Sequence, residues 1–240
     1  MRYRKSWVLI GVTLCMASAA MALPATFNGS SGKLDAEVTF NVFGSSLLVT
    51  LTNTSPHDVL GIDEVLTAVF FQSDMALHLI PISATVPHNS EVLFGTTDPG
   101  NVVGGEWAYR SNLPLDDNLH YGISAASFDL FDIVNLFPGT NLQGPLAPGG
   151  IEYGITSAGD NPLTGTADVT GRNALIKNEV TFILFGVPLG FNPEEHIEAV
   201  MFQYGRDLRD PHIFVPEPAA AGLLLLGSLF ACRRRSVRGY

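Results

Sequence analysis

Ala36-Glu37-Val38-Thr39-Phe40-Asn41-Val42-Phe43 alternates apolar and polar side chains, with Val38, Phe40 and Val42 falling on one face. A period of two marks a half-buried strand, because successive side chains of an extended backbone point to opposite faces. Leu47 to Leu51 follows across Gly44-Ser45-Ser46, so the two runs form a hairpin. Much later, Glu179-Val180-Thr181-Phe182-Ile183-Leu184-Phe185-Gly186 repeats Glu37 to Gly44 at six of eight positions. The second copy is almost continuously apolar, which suits a strand covered on both faces. The two copies are expected to pair or to face each other. No repeat of solenoid length accompanies them.

Outward from this hairpin the same period recurs. Strands are expected at Val65 to Phe71, Leu77 to Val86, Glu91 to Phe94, Glu106 to Arg110, Tyr121 to Ser124, Glu179 to Phe185 and Ala199 to Tyr204. Turn formers separate them: Asp98-Pro99-Gly100-Asn101, Pro138-Gly139, Pro148-Gly149-Gly150 and Asn161-Pro162. Many short strands with Gly and Pro between them predict an all-β fold, an antiparallel β-sandwich of jelly-roll or Ig-like type. Helix has little room. Asn192-Pro193-Glu194-Glu195 has the cap, first-turn proline and acids of a helix start, but a strand follows within about one turn.

The two ends have a different character. Met1 to Ala22 carries a basic start (Arg2, Arg4, Lys5), an apolar run from Trp7 to Met16 and small residues at Ala20 and Ala22, the pattern of a secretory signal peptide cut after Ala22. Ala17-Ser18-Ala19 is a second candidate cleavage site. At the other end, Val215-Pro216-Glu217-Pro218 precedes an apolar run from Ala219 to Cys232, interrupted only by Ser228, and then Arg233, Arg234, Arg235 and Arg238. Fourteen residues make a helix of about 21 Å, short of a hydrocarbon core of about 30 Å. Such a run crosses only if the bilayer thins and the arginines snorkel. The basic flank fixes the C-terminus in the cytoplasm. The chain thus divides into residues 1–22, a body at 23–214, and a C-terminal segment at 215–240 made of motif 215–218, helix 219–232 and basic tail 233–240.

This C-terminal arrangement resembles the PEP-C-terminal sorting signal of exosortase-dependent bacterial surface proteins. The resemblance rests on Val215, Pro216, Glu217, Pro218, the Leu223 to Leu226 run, Gly227 and Arg233 to Arg235, about a tenth of the chain. It implies passage through the export translocon, cleavage by signal peptidase and transient anchoring in the inner membrane. An exosortase-type transpeptidase would then remove the helix and release the body to the cell surface, exopolysaccharide or biofilm matrix of a Gram-negative bacterium. Phrases in the middle of the chain, among them Gly104-Gly105-Glu106-Trp107-Ala108-Tyr109-Arg110 and Tyr121-Gly122-Ile123-Ser124, with Phe202-Gln203-Tyr204-Gly205, resemble bodies of a subgroup of the same proteins. That resemblance implies compartment and β fold only, with no activity to carry over. An uncut, tail-anchored periplasmic protein is the plain alternative.

Composition narrows the chemistry. Both cysteines, Cys15 and Cys232, lie in the end segments, so the body has no thiol nucleophile and no thiolate metal site. The body holds six Lys and Arg against 22 carboxylates, a formal charge near −16. Such a surface repels phosphate backbones, which excludes nucleic acid as a partner. No Gly-x-Ser-x-Gly occurs, no His-Glu-x-x-His occurs, and His57, His78, His88, His120, His196 and His212 stand singly. With 22 acids, the presence of a carboxylate pair carries no information about glycoside hydrolysis. Calcium is the cofactor best served by the loops, at Asp98 to Asn101, Asp116-Asp117, Asp129 with Asp132 and Asp160-Asn161. None has EF-hand spacing, and Asx residues in turns are explained by their own backbone hydrogen bonds, so no cofactor is expected. Trp107, Tyr109, Tyr121 and Tyr153 are assigned to the core rather than to a sugar-stacking face. The expected protein is exported and non-enzymatic, with a structural or adhesive role. A carbohydrate-binding or carbohydrate-active protein on the same signal is the alternative.

Overall fold

The computed structural model describes residues 22–115, 118–128, 130, 137–143 and 150–216. The fold they form is all-β. Fourteen strands run in chain order: β1 (Ala25–Ser31), β2 (Leu34–Phe43), β3 (Ser46–Asn53), β4 (Leu66–Ser73), β5 (Ile80–Thr85), β6 (Glu91–Leu93), β7 (Ala108–Ser111), β8 (Tyr121–Ser124), β9 (Thr140–Asn141), β10 (Ile155–Thr156), β11 (Leu175–Lys177), β12 (Glu179–Phe185), β13 (Ile197–Tyr204) and β14 (His212–Pro216). One helical turn, α1 (Pro193–His196), sits where the sequence placed it, with the Asn192 side chain accepting from the Glu194 amide.

β1, β2, β3, β12 and β5 form a five-stranded sheet in that order. The hairpin of β2 and β3 pairs Phe40 with Val49 and turns at Gly44, whose φ of +62° is left-handed and favours glycine. The repeated sequences do not pair with each other. They flank β3 on opposite sides in matching register: Glu37 and Glu179 both oppose Thr52, Val38 and Val180 oppose Leu51, Phe40 and Phe182 oppose Val49, and Phe43 and Phe185 oppose Ser46. One central strand therefore accepts the same side-chain series from both neighbours. β12 is also not covered on both faces. Val180, Phe182 and Leu184 are buried, Thr181 and Ile183 are half-buried, and Phe185 is exposed. Its apolar continuity reflects an uncovered apolar corner, not a second core.

The outer face of this sheet carries a row of threonines perpendicular to the strands. Thr26, Thr39, Thr50, Thr181 and Thr85 are register partners from one edge to the other. Hydroxyls touch at 2.9 Å between Thr26 and Thr39 and at 3.3 Å between Thr50 and Thr181. Cross-strand Thr pairs of this kind stabilise a sheet modestly.

The nine-stranded sheet runs β6-β11-β10-β4-β8-β7-β9, with β13 on the other side of β4 and β14 beyond it. Its pairings are antiparallel except for β10 with β11, where Ile155 and Ile176 pair in parallel. Side chains of both sheets make one buried cluster that includes Phe27, Phe40 and Phe182 from the first, Phe71 and Phe202 from the second, and Trp107 just before β7. The rings of Phe40 and Phe71 lie 5.1 Å apart and those of Trp107 and Phe182 4.9 Å apart. β4 is buried along both faces. Val69 and Phe71 point into the shared cluster, whereas Ala68 and Phe70 join a second one with Leu113, Leu119, Phe128 and Phe137. Gly122 on β8 makes that second layer possible, since a Cβ there would lie 2.6 Å from Phe70 and Leu113 carbons.

Candidate functional site

The residues singled out in the sequence fall partly inside the fold. Val215 and Pro216 belong to β14, where they pair with Val200 and Ala199 of β13. β14 is an edge strand, the position at which a proline, lacking an amide hydrogen, is tolerated. Val215 is half-buried against the shared cluster, and Pro216 is exposed. The last strand of the body thus includes the first half of the Val-Pro-Glu-Pro motif. Glu217, Pro218, Ala219 to Cys232, Arg233, Arg234 and Arg235 lie outside the described residues, as do Met1 to Met21 with the cleavage-site residue Ala20. Among the described residues no helix is long and apolar enough to cross a membrane.

Ala22 precedes β1 by three residues. The Leu23 amide donates to the Asn192 side chain at 3.1 Å, and the same Asn192 donates to Glu195 at 3.0 Å. The start of the body is thereby tied to α1, and α1 leads directly into β13, the partner of β14. Both ends of the body emerge at the same end of the molecule.

Several of the described rings and loop residues have structural roles. Trp107, Tyr109 and Tyr121 are core residues and present no open ring face. Burial pushes the Tyr109 and Tyr204 hydroxyls well above the ordinary tyrosine range, and each oxygen lies in the interior with no hydrogen-bond partner among the described residues. Tyr153 is half-buried, and its hydroxyl donates to the Thr96 carbonyl at 2.7 Å. Asp160 is buried and accepts from the Val59 amide at 2.9 Å, while Asn161 accepts from the Leu163 amide at 3.2 Å. Asp98 exchanges backbone hydrogen bonds with Val102 across its turn. The remaining calcium candidates, Asp116, Asp117, Asp129 and Asp132, lie outside the described residues. Among those described, no three His, Cys, Asp or Glu side chains gather as a metal site would require.

One pairing was invisible in the sequence. His196, at the end of α1, meets Asp74 at 2.9 Å across 122 residues and stacks on Phe191 at 5.6 Å. No hydrogen bond joins its ring to a hydroxyl among the described residues, so the pair ties α1 to the end of β4 without forming a nucleophile triad. A polar cleft of 340 Å³ lies beside β7, bordered by Tyr109, Arg110, Asn112 and Pro138, where Arg110 donates to the Pro138 carbonyl at 2.5 Å. In the β13–β14 turn the Arg209 guanidinium holds the Asp207 carboxyl down to about 2. Arg209 is exposed and Asp207 half-buried, and the pair closes the turn.

No protein-family model, curated protein or solved structure matches this chain.

Proposed function

We propose that the chain is an exported, non-enzymatic β-sandwich protein whose C-terminal segment is a sorting signal. An exosortase-type transpeptidase acts on that segment, and the released body serves a structural or adhesive role at the cell surface or in exopolysaccharide. The sandwich reading is supported by the cluster shared between the two sheets. The observation that carries the sorting reading is the order Val215-Pro216-Glu217-Pro218, a fourteen-residue apolar run interrupted only by Ser228, and an arginine cluster, an order whose first two residues already lie in β14. A helix too short for comfortable residence, with proline on one flank and arginine on the other, fits a temporary anchor.

The test is the intact mass of the protein extracted from the cell surface. A product lacking Arg233 to Tyr240 is expected; a surface product that retains them overturns the proposal. Glu217→Ala with Pro218→Ala alters the motif while leaving every residue of β14, His212–Pro216, unchanged. The variant is expected to accumulate as precursor in the inner membrane, and unchanged delivery would contradict recognition of the motif.

A further inference from the structure

The exposed apolar side chains are unevenly distributed. Ten large hydrophobics are exposed among the described residues, and six of them, Leu23, Phe43, Ile80, Ile82, Phe185 and Leu189, lie at one end of the five-stranded sheet. Their placement follows from the register: Phe43 and Phe185 both flank Ser46, Phe185 pairs with Ile80, and Ile82 sits at the bulge two residues on. The loop after β12 brings Leu189 to the same place, since the Gly186 and Val187 amides both donate to the Ser45 carbonyl in the β2–β3 turn. An open groove of 660 Å³ there is bordered by Ala22, Val42, Gly44, Leu189, Phe191 and Asn192. Phe43 is 79% exposed and Leu189 fully so, more than a folded body needs to leave in water.

The tail leaves from this end as well. Pro216 opposes Ala199, three residues beyond His196 of α1, and α1 is tied to Leu23 through Asn192. From Pro216 to Ala219 there are three residue steps, a reach of at most about 11 Å. When the apolar run occupies a bilayer, this end of the body must therefore stand at the headgroups.

We propose that the end formed by the β2–β3 turn, the loop after β12 and the start of β5 rests on a lipid surface, with Phe43 and Leu189 entering it. The proposal rests on the tail being a membrane segment, the reading given above. It adds a second attachment to a run that is short for a bilayer. A second copy of the chain is a poorer occupant, because two bodies each near −16 repel one another. Glu194 and Glu195 stand exposed at the same end, so the surface accepted is zwitterionic rather than anionic.

The experiment uses the chain purified from the membranes of expressing cells, carrying Cys15→Ser and Cys232→Ser, with a fluorophore on Ser45→Cys or, at the opposite end of the β1–β2 hairpin, on Ser31→Cys. The chain is placed in phosphatidylcholine vesicles containing brominated lipid. Several-fold stronger quenching at Ser45→Cys than at Ser31→Cys is expected, weakened when phosphatidylglycerol replaces phosphatidylcholine. Phe43→Ser with Leu189→Ser, both exposed positions that leave the core intact, should sharply reduce the difference while the chain still floats with the vesicles. Equal quenching of the two labels in a floating chain overturns this proposal and leaves the tail reading standing. A chain that does not float overturns both. A doubled mass with self-quenching of the Ser45→Cys label identifies a second copy on the surface and also overturns it.

Discussion

The two sheets share a core but differ in how many of their faces are dry. In the five-stranded sheet, β2, β3 and β12 bury every second side chain, and their other face carries Thr39, Thr50, Thr181 and two glutamates. In the nine-stranded sheet, β4 buries seven of its eight residues, because segments between Leu113 and Phe137 cover its far side. Both kinds of strand are rich in apolar residues. What separates them is not their own composition but whether another part of the chain returns to cover them.

That contrast breaks most readily at a pair of phenylalanines. Phe70→Ala on the far side of β4 is expected to cost about 3–5 kcal/mol, the range for emptying a buried aromatic site. Phe185→Ala, on the open corner of β12, should stay within about 0.5 kcal/mol. Urea unfolding of both variants measures the difference, and equal costs would mean that the second layer is not packed. A smaller effect sharpens the wet face. Thr50→Val removes the hydroxyl contact to Thr181 and should destabilise by about 0.2–1 kcal/mol; a larger loss would show the threonine row to be structurally dominant.

The smallest effect depends on pH. Glu106, just before β7, is pushed above the ordinary carboxylate range first by burial and then by Glu152. A group whose folded value is raised favours the protonated fold, so its contribution is present at acid pH and is lost as pH rises through the folded value. Glu106→Gln should therefore gain stability relative to the parent as pH rises from the carboxylate range to neutrality. Urea midpoints at several pH values test the sign. A gap that shrinks over that interval would refute it.

Much of the fold was legible because alternation is local. Tyr121–Ser124 and Glu179–Phe185 match their expected bounds, and seven other strands overlap theirs. The missed strands had no such signal. β9 and β10 are two residues long and β11 three, held in place by neighbours remote in sequence. β1 begins just after Leu23-Pro24, beside the expected cleavage point, and β14 buries only Ile213. Hydrogen bonding of the backbone leaves no mark on side-chain type, so Val215 and Pro216 read as the start of the C-terminal motif, outside the body, although they lie in a strand. The coverage of β12 was misjudged for the same reason: an apolar run records what a strand can bury, not what comes to bury it. The His196–Asp74 pair needed the sheet to bring together positions that the sequence holds far apart.

The place of β3 between two near-copies has a consequence for how the chain is made. Its first neighbour arrives at once through a short turn, whereas the second is supplied by residues 179–185, long after Asn53 has emerged. For that interval a chain appearing N-terminus first is a three-strand ribbon whose β3 margin is bare, in addition to the edge at β1, an open template for any similar ribbon nearby. Premature termination anywhere before Glu179 would leave that margin permanently unfinished, so truncated products of this gene should clump where the complete one stays dispersed.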